Sequence, residues 1–275
     1  MSTALYAFAF VDDRTKRRIR RALLKALALP GHQIPFASRE MPMPYGWGTG
    51  GVAVTGSIIG PQDVLKVIEM GSDDTMNATN IRRLFEQTAF VATTDRTSDA
   101  TIIQTRHRIP EAPLHAGQTL VLQVSDPEPL SNLTPSAGTA RALHAAREYD
   151  GVFLRMYEDI SRHGRVSRGR NYPVRVNDEY IMAPSSIPTF DNPKLNRSQA
   201  LMLFAAGREK RIYAVPPWTK VENVGFEDFP FQIDRAAQPC ARCGATDTFV
   251  YQLRRRDMTG LWLCSDTDSC KSRSR

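Results

Sequence analysis

The sequence predicts an α+β fold: a mixed core, a helical insertion, and a small C-terminal cysteine-rich β-hairpin module. Three observations carry this. Apolar runs of strand length mix with segments of helical period through residues 1–124 and 175–230, which are assigned to the core. The texture changes at Ser125, so that 125–174 read as loop and helix inserted between core strands. All four cysteines fall after residue 239, which marks 231–275 as a separate module.

Composition bounds the class. A chain of 275 residues with 41% apolar side chains can build one large domain or two small ones. No apolar run approaches the roughly 20 residues that span a bilayer. The opening MSTALYAFAFVDD lacks a basic stretch and its apolar run stops at acids, so it makes a poor signal peptide. The expectation is a cytoplasmic protein away from the membrane. The formal charge of +7 suits an anionic partner, either nucleic acid or a phosphorylated metabolite.

The elements follow in order. Asp12 or Asp13 can cap a helix to about Leu29, with Ile19, Ala22, Leu23, Ala26 and Leu27 on one face. Arg14 to Lys25 supply a basic remainder, which reads as a solvated face or a contact with an acidic partner. Pro30-Gly31 ends that helix. Residues 31–51 hold too many prolines and glycines for regular structure, yet their aromatic and methionine content argues against disorder. Gly46, Gly48 and Gly51 spell G-x-G-x-x-G, but a proline-rich loop precedes them. A dinucleotide site needs a strand there, so that reading is discarded.

VAVTGSII (52–59) reads as a strand, and Gly60-Pro61 as the start of a helix to Met70. A helix is expected over Thr75–Gln87, then strands at Thr101–His107 and Thr119–Val124. Within the insertion, helices are expected at Ala140–Tyr149 and Val152–His163, followed by a basic link bearing Arg162, Arg165, Arg168 and Arg170. Tyr172–Met182 reads as a hairpin turning at Asn177-Asp178. A helix near Ser198–Gly207 and a strand near Arg211–Val215 complete the core. In the module, Phe249–Leu253 and Leu261–Cys264 are two short strands joined at Asp257–Gly260.

Cys240, Cys243, Cys264 and Cys270 give the pattern C-x2-C-x20-C-x5-C. Thiols gathered this way in a reducing compartment bind metal more often than they form disulfides. Four thiolates on one zinc would make a structural site resembling a zinc ribbon, although the second pair is spaced more widely than usual. Three thiolates on a four-iron cluster would leave one iron open and the fourth cysteine free. Spacing leaves both open.

The blocks PGHQIPFASREMPMPYGWGTGG (30–51), DATIIQTRHRIPE (99–111), FDNPK (190–194) and AAGREKRIYAVPPWTKVE (205–222), with the cysteine pattern, resemble the carbon–phosphorus lyase subunits of bacterial phosphonate catabolism. The likeness runs from Phe8 to Cys270 and is weakest over 125–174. It implies a radical S-adenosylmethionine enzyme with a 4Fe-4S cluster on Cys240, Cys243 and Cys264. It places a radical-carrying glycine at Gly31 and a thiyl-forming cysteine at Cys270. The implied reaction cleaves the C–P bond of alpha-D-ribose 1-methylphosphonate 5-phosphate, giving the 1,2-cyclic phosphate 5-phosphate and methane. Substrate contacts fall on Arg106, His107 and Gln123. Implied partners are other subunits of a lyase core complex, with an ATP-binding-cassette protein docking on 125–174.

The chemistry is coherent with that implication. Heterolysis of a methyl–phosphorus bond would expel a methyl carbanion, and acid–base catalysis contributes about 10²–10⁴-fold, too little for such a step. A homolytic route avoids the carbanion. Read without the resemblance, Gly31 is a helix terminator, Cys270 a fourth zinc ligand, His107 a packed histidine and Arg106 a surface ion pair. Arg208, Lys210 and Arg211 form a second basic group. Zinc on all four sulfurs is the form that an aerobic preparation would hold. The alternative function is a non-catalytic zinc-ribbon subunit binding nucleic acid or protein. Nucleic acid is disfavoured because the aromatics are not grouped along a basic stripe.

Overall fold

A computed structural model describes residues 33–35, 49–69, 71–124, 136–146, 174–178, 180–182, 187, 191–206, 211–223, 238–254 and 260–274. Seven strands form the main sheet: β1 (Gln33–Pro35), β2 (Val64–Ile68), β3 (Ala92–Thr93), β4 (Ile102–Arg106), β5 (Thr119–Val124), β8 (Leu201–Ala206) and β9 (Arg211–Val215). Their order is β1-β9-β8-β5-β4-β2-β3. β3, β2, β4, β5 and β8 run parallel; β9 pairs antiparallel with β8, and β1 antiparallel with β9, at one edge. A second sheet, ordered β10-β6-β7, contains β6 (Val174–Val176), β7 (Tyr180–Met182) and β10 (Val221–Asn223).

Alternation along the strands builds two apolar layers. Leu65, Val67, Ile102, Val121, Leu203 and Ala205 face helices α1 (Thr49–Ile58) and α2 (Met76–Ala89). Ile103, Leu120, Leu122, Met202 and Phe204 face the other way, against Val174, Val176, Val221 and Leu195. Parallel strands covered on both faces read as continuous apolar runs, as TLVLQV and LMLFAA do. Lys66 lies on the face of β2 opposite Leu65 and Val67, and is nevertheless wholly buried.

The mixed helix and strand content agrees with the predicted class; the parallel core was not foreseen. Three elements need correction. Residues 52–59, expected as a strand, lie almost entirely in α1. That helix is buried on every side, including Thr55 and Ser57, so it has no polar face to give it a helical period. Its Ser57 hydroxyl donates back to the Ala53 carbonyl at 2.8 Å. The expected helix 61–70 is a turn followed by β2. Gly60 N–H donates to Asp63 Oδ2 at 2.7 Å and closes that turn. The expected helix 198–207 contains β8, whose apolar run is covered on both faces and so carries no period of two.

Other elements match. α2 begins after Thr75, whose Oγ1 accepts from Ala78 N–H at 3.2 Å as an N-cap. β4, β5 and β9 stand where expected. β6 and β7 pair as a hairpin with Asn177 and Asp178 both at positive φ, which those residue types tolerate. In the insertion, α3 (Ala137–Ala146) overlaps the first expected helix. In the module, β11 (Val250–Arg254) and β12 (Gly260–Cys264) pair antiparallel. A further helix, α4 (Thr267–Arg273), carries Cys270 and was not predicted.

The helix expected over 12–29, Gly31, the second insertion helix, the basic link at 162–170, Arg208 and Lys210 lie outside the described residues. Most of the loop 31–51 and of the turn 257–260 lies outside them as well. Among the described residues, no helix is long and apolar enough to cross a membrane.

Candidate functional site

Two short elements and a knuckle bring the cysteines together. Cys240 and Cys243 flank a tight turn in which Gly244 N–H donates to the Cys240 carbonyl at 2.8 Å. Gly244 has φ +72, a conformation that suits glycine. Ala241 N–H donates to Trp262 O at 2.8 Å and ties the knuckle to β12. Cys264 ends β12, and Cys270 stands on α4. The four sulfurs lie within 4.8 Å of one another. Cys240 and Cys270 sulfurs are 3.8 Å apart, Cys243 and Cys264 sulfurs 3.5 Å. None is in a disulfide.

This arrangement suits a cation. Four thiolates at about 2.3 Å from one zinc stand about 3.8 Å from each other at tetrahedral angles, close to the observed spacing. The all-thiolate donor set also fits iron–sulfur ligation. The Cys240 thiol is lowered to about 6: burial opposes this, but backbone N–H groups of Cys243, Arg242 and Cys264 outweigh it. Burial, with the neighbouring thiols of Cys243 and Cys240, pushes Cys270 up to about 11, and burial pushes Cys264 further up. A bound cation would favour the thiolate forms of Cys264 and Cys270 against this burial.

The module is fastened to the core by buried charges. Ser265 and Asp266 connect β12 to α4, which starts at Thr267. Arg108 Nε donates to Ser265 Oγ at 3.0 Å, and Asp73 N–H donates to Ser265 O at 3.1 Å. Lys66 Nζ lies 3.5 Å from Asp266 Oδ1 and 3.3 Å from Asp73 Oδ2. Glu111 N–H donates to Asp266 Oδ2 at 2.9 Å. Thr267 donates its hydroxyl to Asp73 Oδ2 at 3.0 Å. Arg108 is 1% exposed and also pairs with Asp191, and with Glu111 Oε1 at 2.6 Å. Its guanidinium lies 4.4 Å from the Phe249 ring centroid. Lys194 Nζ completes the box, 2.9 Å from Glu111 Oε2 and 3.0 Å from Asp191 Oδ1. Burial raises the Asp73 and Asp191 carboxyls despite these cations. For Glu111 the balance is reversed: burial is overcome by Lys194 and Arg108, which hold it below the usual carboxylate range.

A second cluster lies at the carboxyl ends of the parallel strands, where open α/β sheets bind ligands. Arg106 ends β4 and stands opposite Gln123 of β5 in register. His107 follows at φ +68. Burial, then the Arg106 charge, lowers His107 to about 4, so its imidazole is neutral near pH 7. Arg106 Nη1 lies 3.1 Å from Glu69 Oε1, while Glu69 Oε2 is buried with no hydrogen-bond partner among the described residues. Gly51 of α1 closes over this region: a Cβ there would meet Gln104 Nε2 at 2.5 Å and Gln123 Cβ at 3.0 Å.

The structure thus brings the four cysteines together and sets Arg106, His107 and Gln123 side by side. It leaves Gly31 undescribed. Sequence reasoning missed Lys66, Asp73, Arg108, Glu111, Asp191 and Asp266. A lysine inside VLKVI was a signal, since a charge within a fully apolar run needs a buried partner. Neither of its partners, Asp73 seven residues on and Asp266 200 residues on, was marked by a local pattern.

The family model for phosphonate metabolism protein PhnJ matches residues 4–275. Alpha-D-ribose 1-methylphosphonate 5-phosphate C-P-lyase of Rhizobium meliloti (strain 1021) is 57% identical over 271 residues, covering 98% of this chain and 91% of that protein. The C-P lyase of the same description from Escherichia coli (strain K12) is 53% identical over 270 residues, covering 98% and 96%.

Proposed function

The chain belongs to the PhnJ family of phosphonate metabolism proteins, and we propose that it is the carbon–phosphorus lyase acting on alpha-D-ribose 1-methylphosphonate 5-phosphate. The products are methane and alpha-D-ribose 1,2-cyclic phosphate 5-phosphate. The observation that carries this is identity at more than half of all positions, across 98% of the chain, with two proteins described by that activity.

Cys240, Cys243 and Cys264 would hold a 4Fe-4S cluster, which with S-adenosylmethionine would supply one-electron chemistry when bound. Cys270 is the sulfur that attacks. As a thiyl radical it forms an S–P bond while the P–C bond breaks homolytically. The methyl radical takes hydrogen from Gly31 and leaves as methane. The ribose 2-hydroxyl displaces sulfur from phosphorus, and its proton restores the Cys270 thiol. The glycyl radical then takes hydrogen from that thiol, which closes the chain. Arg106 and Gln123 bind phosphoryl oxygens, for which a guanidinium is well suited. Neutral His107 can donate to a further oxygen. Work inside a multi-subunit complex in the cytoplasm, with an ATP-binding-cassette protein on 125–174, belongs to the same reading.

The proximity of all four sulfurs supports zinc equally well, and that zinc-ribbon reading makes the opposite prediction. Anaerobic reconstitution with iron and sulfide should give a brown chain that releases methane from the substrate in the assembled complex. Cys270→Ala should keep the visible absorption and release none, while Cys243→Ala should lose the absorption. A colourless protein holding only stoichiometric zinc, or loss of colour in both variants, would overturn the separate role of Cys270.

A further inference from the structure

We propose that Arg108 and Asp266 are positioning residues that register the sulfur cluster against the phosphoryl-binding end of the sheet. This rests on the reaction assigned above. Cys264 and Cys270 are the two ends of a single short segment, and the three residues that follow Cys264 are buried. Each of the three is held by the core. Ser265 is held by Arg108 and by the Asp73 amide, Asp266 by Lys66 and the Glu111 amide, and Thr267 by the Asp73 carboxylate. Asp266 does two tasks at once, since its Oδ1 also accepts from Ser269 N–H at 3.3 Å as the N-cap of α4. The ion pair and the start of the helix that carries Cys270 are therefore one object.

A metal knuckle that only had to be stable would not need this. Replacing buried ion pairs by apolar groups of similar volume is often neutral or stabilising, so such pairs are poor stabilisers. They are, however, directional, and these fix where Cys264 and Cys270 sit. The chain supplies the other half of the registration two residues away. His107, at φ +68, turns the backbone between Arg106 and Arg108. Arg106 then pairs with Glu69 at the strand ends, and Arg108 reaches Ser265. The arginine that would bind the phosphoryl group and the arginine that anchors the thiols are thus set by one backbone turn.

The test compares wild type, Ser265→Ala, Asp266→Asn and Arg108→Lys in the assembled complex. Asparagine caps helices about as well as aspartate, so Asp266→Asn keeps α4 while removing the charge that Lys66 meets. Arg108→Lys keeps a cation for Asp191 and Glu111 but has no Nε to reach Ser265. All three should bind zinc at the wild-type ratio in air. After reconstitution, methane released per bound cluster should fall at least tenfold, with 5′-deoxyadenosine formed per methane rising. Unchanged methane per cluster, or a loss that follows lost metal alone, overturns the proposal. If wild type releases no methane, the assigned reaction fails instead, and hydrogen exchange of the zinc-loaded chains decides the positioning role. Residues 260–274 should exchange at least tenfold faster in the variants while 201–206 stay unchanged. Equal rates in 260–274 overturn it.

Discussion

Asp191→Asn tests the buried charge box most directly. Asp191 is wholly buried between Arg108, itself buried, and Lys194. The box holds two cations, Arg108 and Lys194, against two anions, Asp191 and Glu111. Asparagine keeps the shape and removes one anion. Arg108 cannot shed its charge, so it stays ionised with Glu111 as its remaining counter-charge. Breaking a buried pair costs about 3–5 kcal/mol, and the surviving Glu111 contact places this case at about 3 kcal/mol. For a chain of this size that lowers the melting temperature by about 6–12 °C. With a urea slope near 3 kcal/mol/M, the midpoint falls by about 1 M. Because burial raises Asp191 in the folded chain, wild-type stability declines as pH rises through that pKa, so the loss read by urea titration shrinks towards higher pH. Arg108→Met differs in kind, because the stranded Asp191 can take a proton. Its folded pKa, already raised by burial, rises further. The folded state then binds protons more tightly than the unfolded one, so the loss in Arg108→Met shrinks as pH falls through that pKa. The double variant Arg108→Met/Asp191→Leu should recover most of either single loss. A loss below about 1 kcal/mol in Asp191→Asn would refute the claim that Arg108 is desolvated and dependent on this carboxylate.

His107 should make stability depend on pH. Its folded pKa of about 4 lies below the ordinary 6.5, so the unfolded chain binds its proton first on acidification. Its contribution is complete above about pH 6.5 and is lost between there and about pH 4. His107→Asn, which tolerates the positive φ, should flatten that part of the stability profile in urea titrations of the metal-free chain. An unchanged slope would place the imidazole in water. Gly51→Ala should destabilise by about 1 kcal/mol, since crowding of Gln104 and Gln123 at about 1–3 kcal/mol outweighs the better helix propensity of alanine. A thermal melt at or above wild type would show that the strand-end region has room there.

The cysteine cluster was readable because thiol spacing is local and chemically specific. α2 was readable because Thr75 caps it and Ala78, Ile81 and Phe85 recur on one face. The hairpin at Asn177-Asp178 was readable from its turn residues. α1 and β8 were read as each other's type for one reason. Both are buried on all sides, so neither keeps the polar half that reveals a period. α4 was overlooked because seven residues are too few for a periodic signal, and only the Asp266 cap announces it. The charge clamp could not be read at all. Asp73 follows Lys66 by seven residues, but Asp266 lies 200 residues on, and no local pattern joins the three.

The pairing of β5 with β8 has a consequence for how this chain can change length. Thr119 meets Leu201, so the sheet closes around a detour of some eighty residues. The entropic penalty of joining the ends of a flexible loop grows only with the logarithm of its length, about 0.6 kcal/mol for each doubling. Most of that penalty is already met by the existing detour. Added or deleted residues within 125–173 would therefore weigh little on the parallel core. Its length is weakly constrained by the sheet, while a single-residue slip in the strands on either side would turn a core face outward.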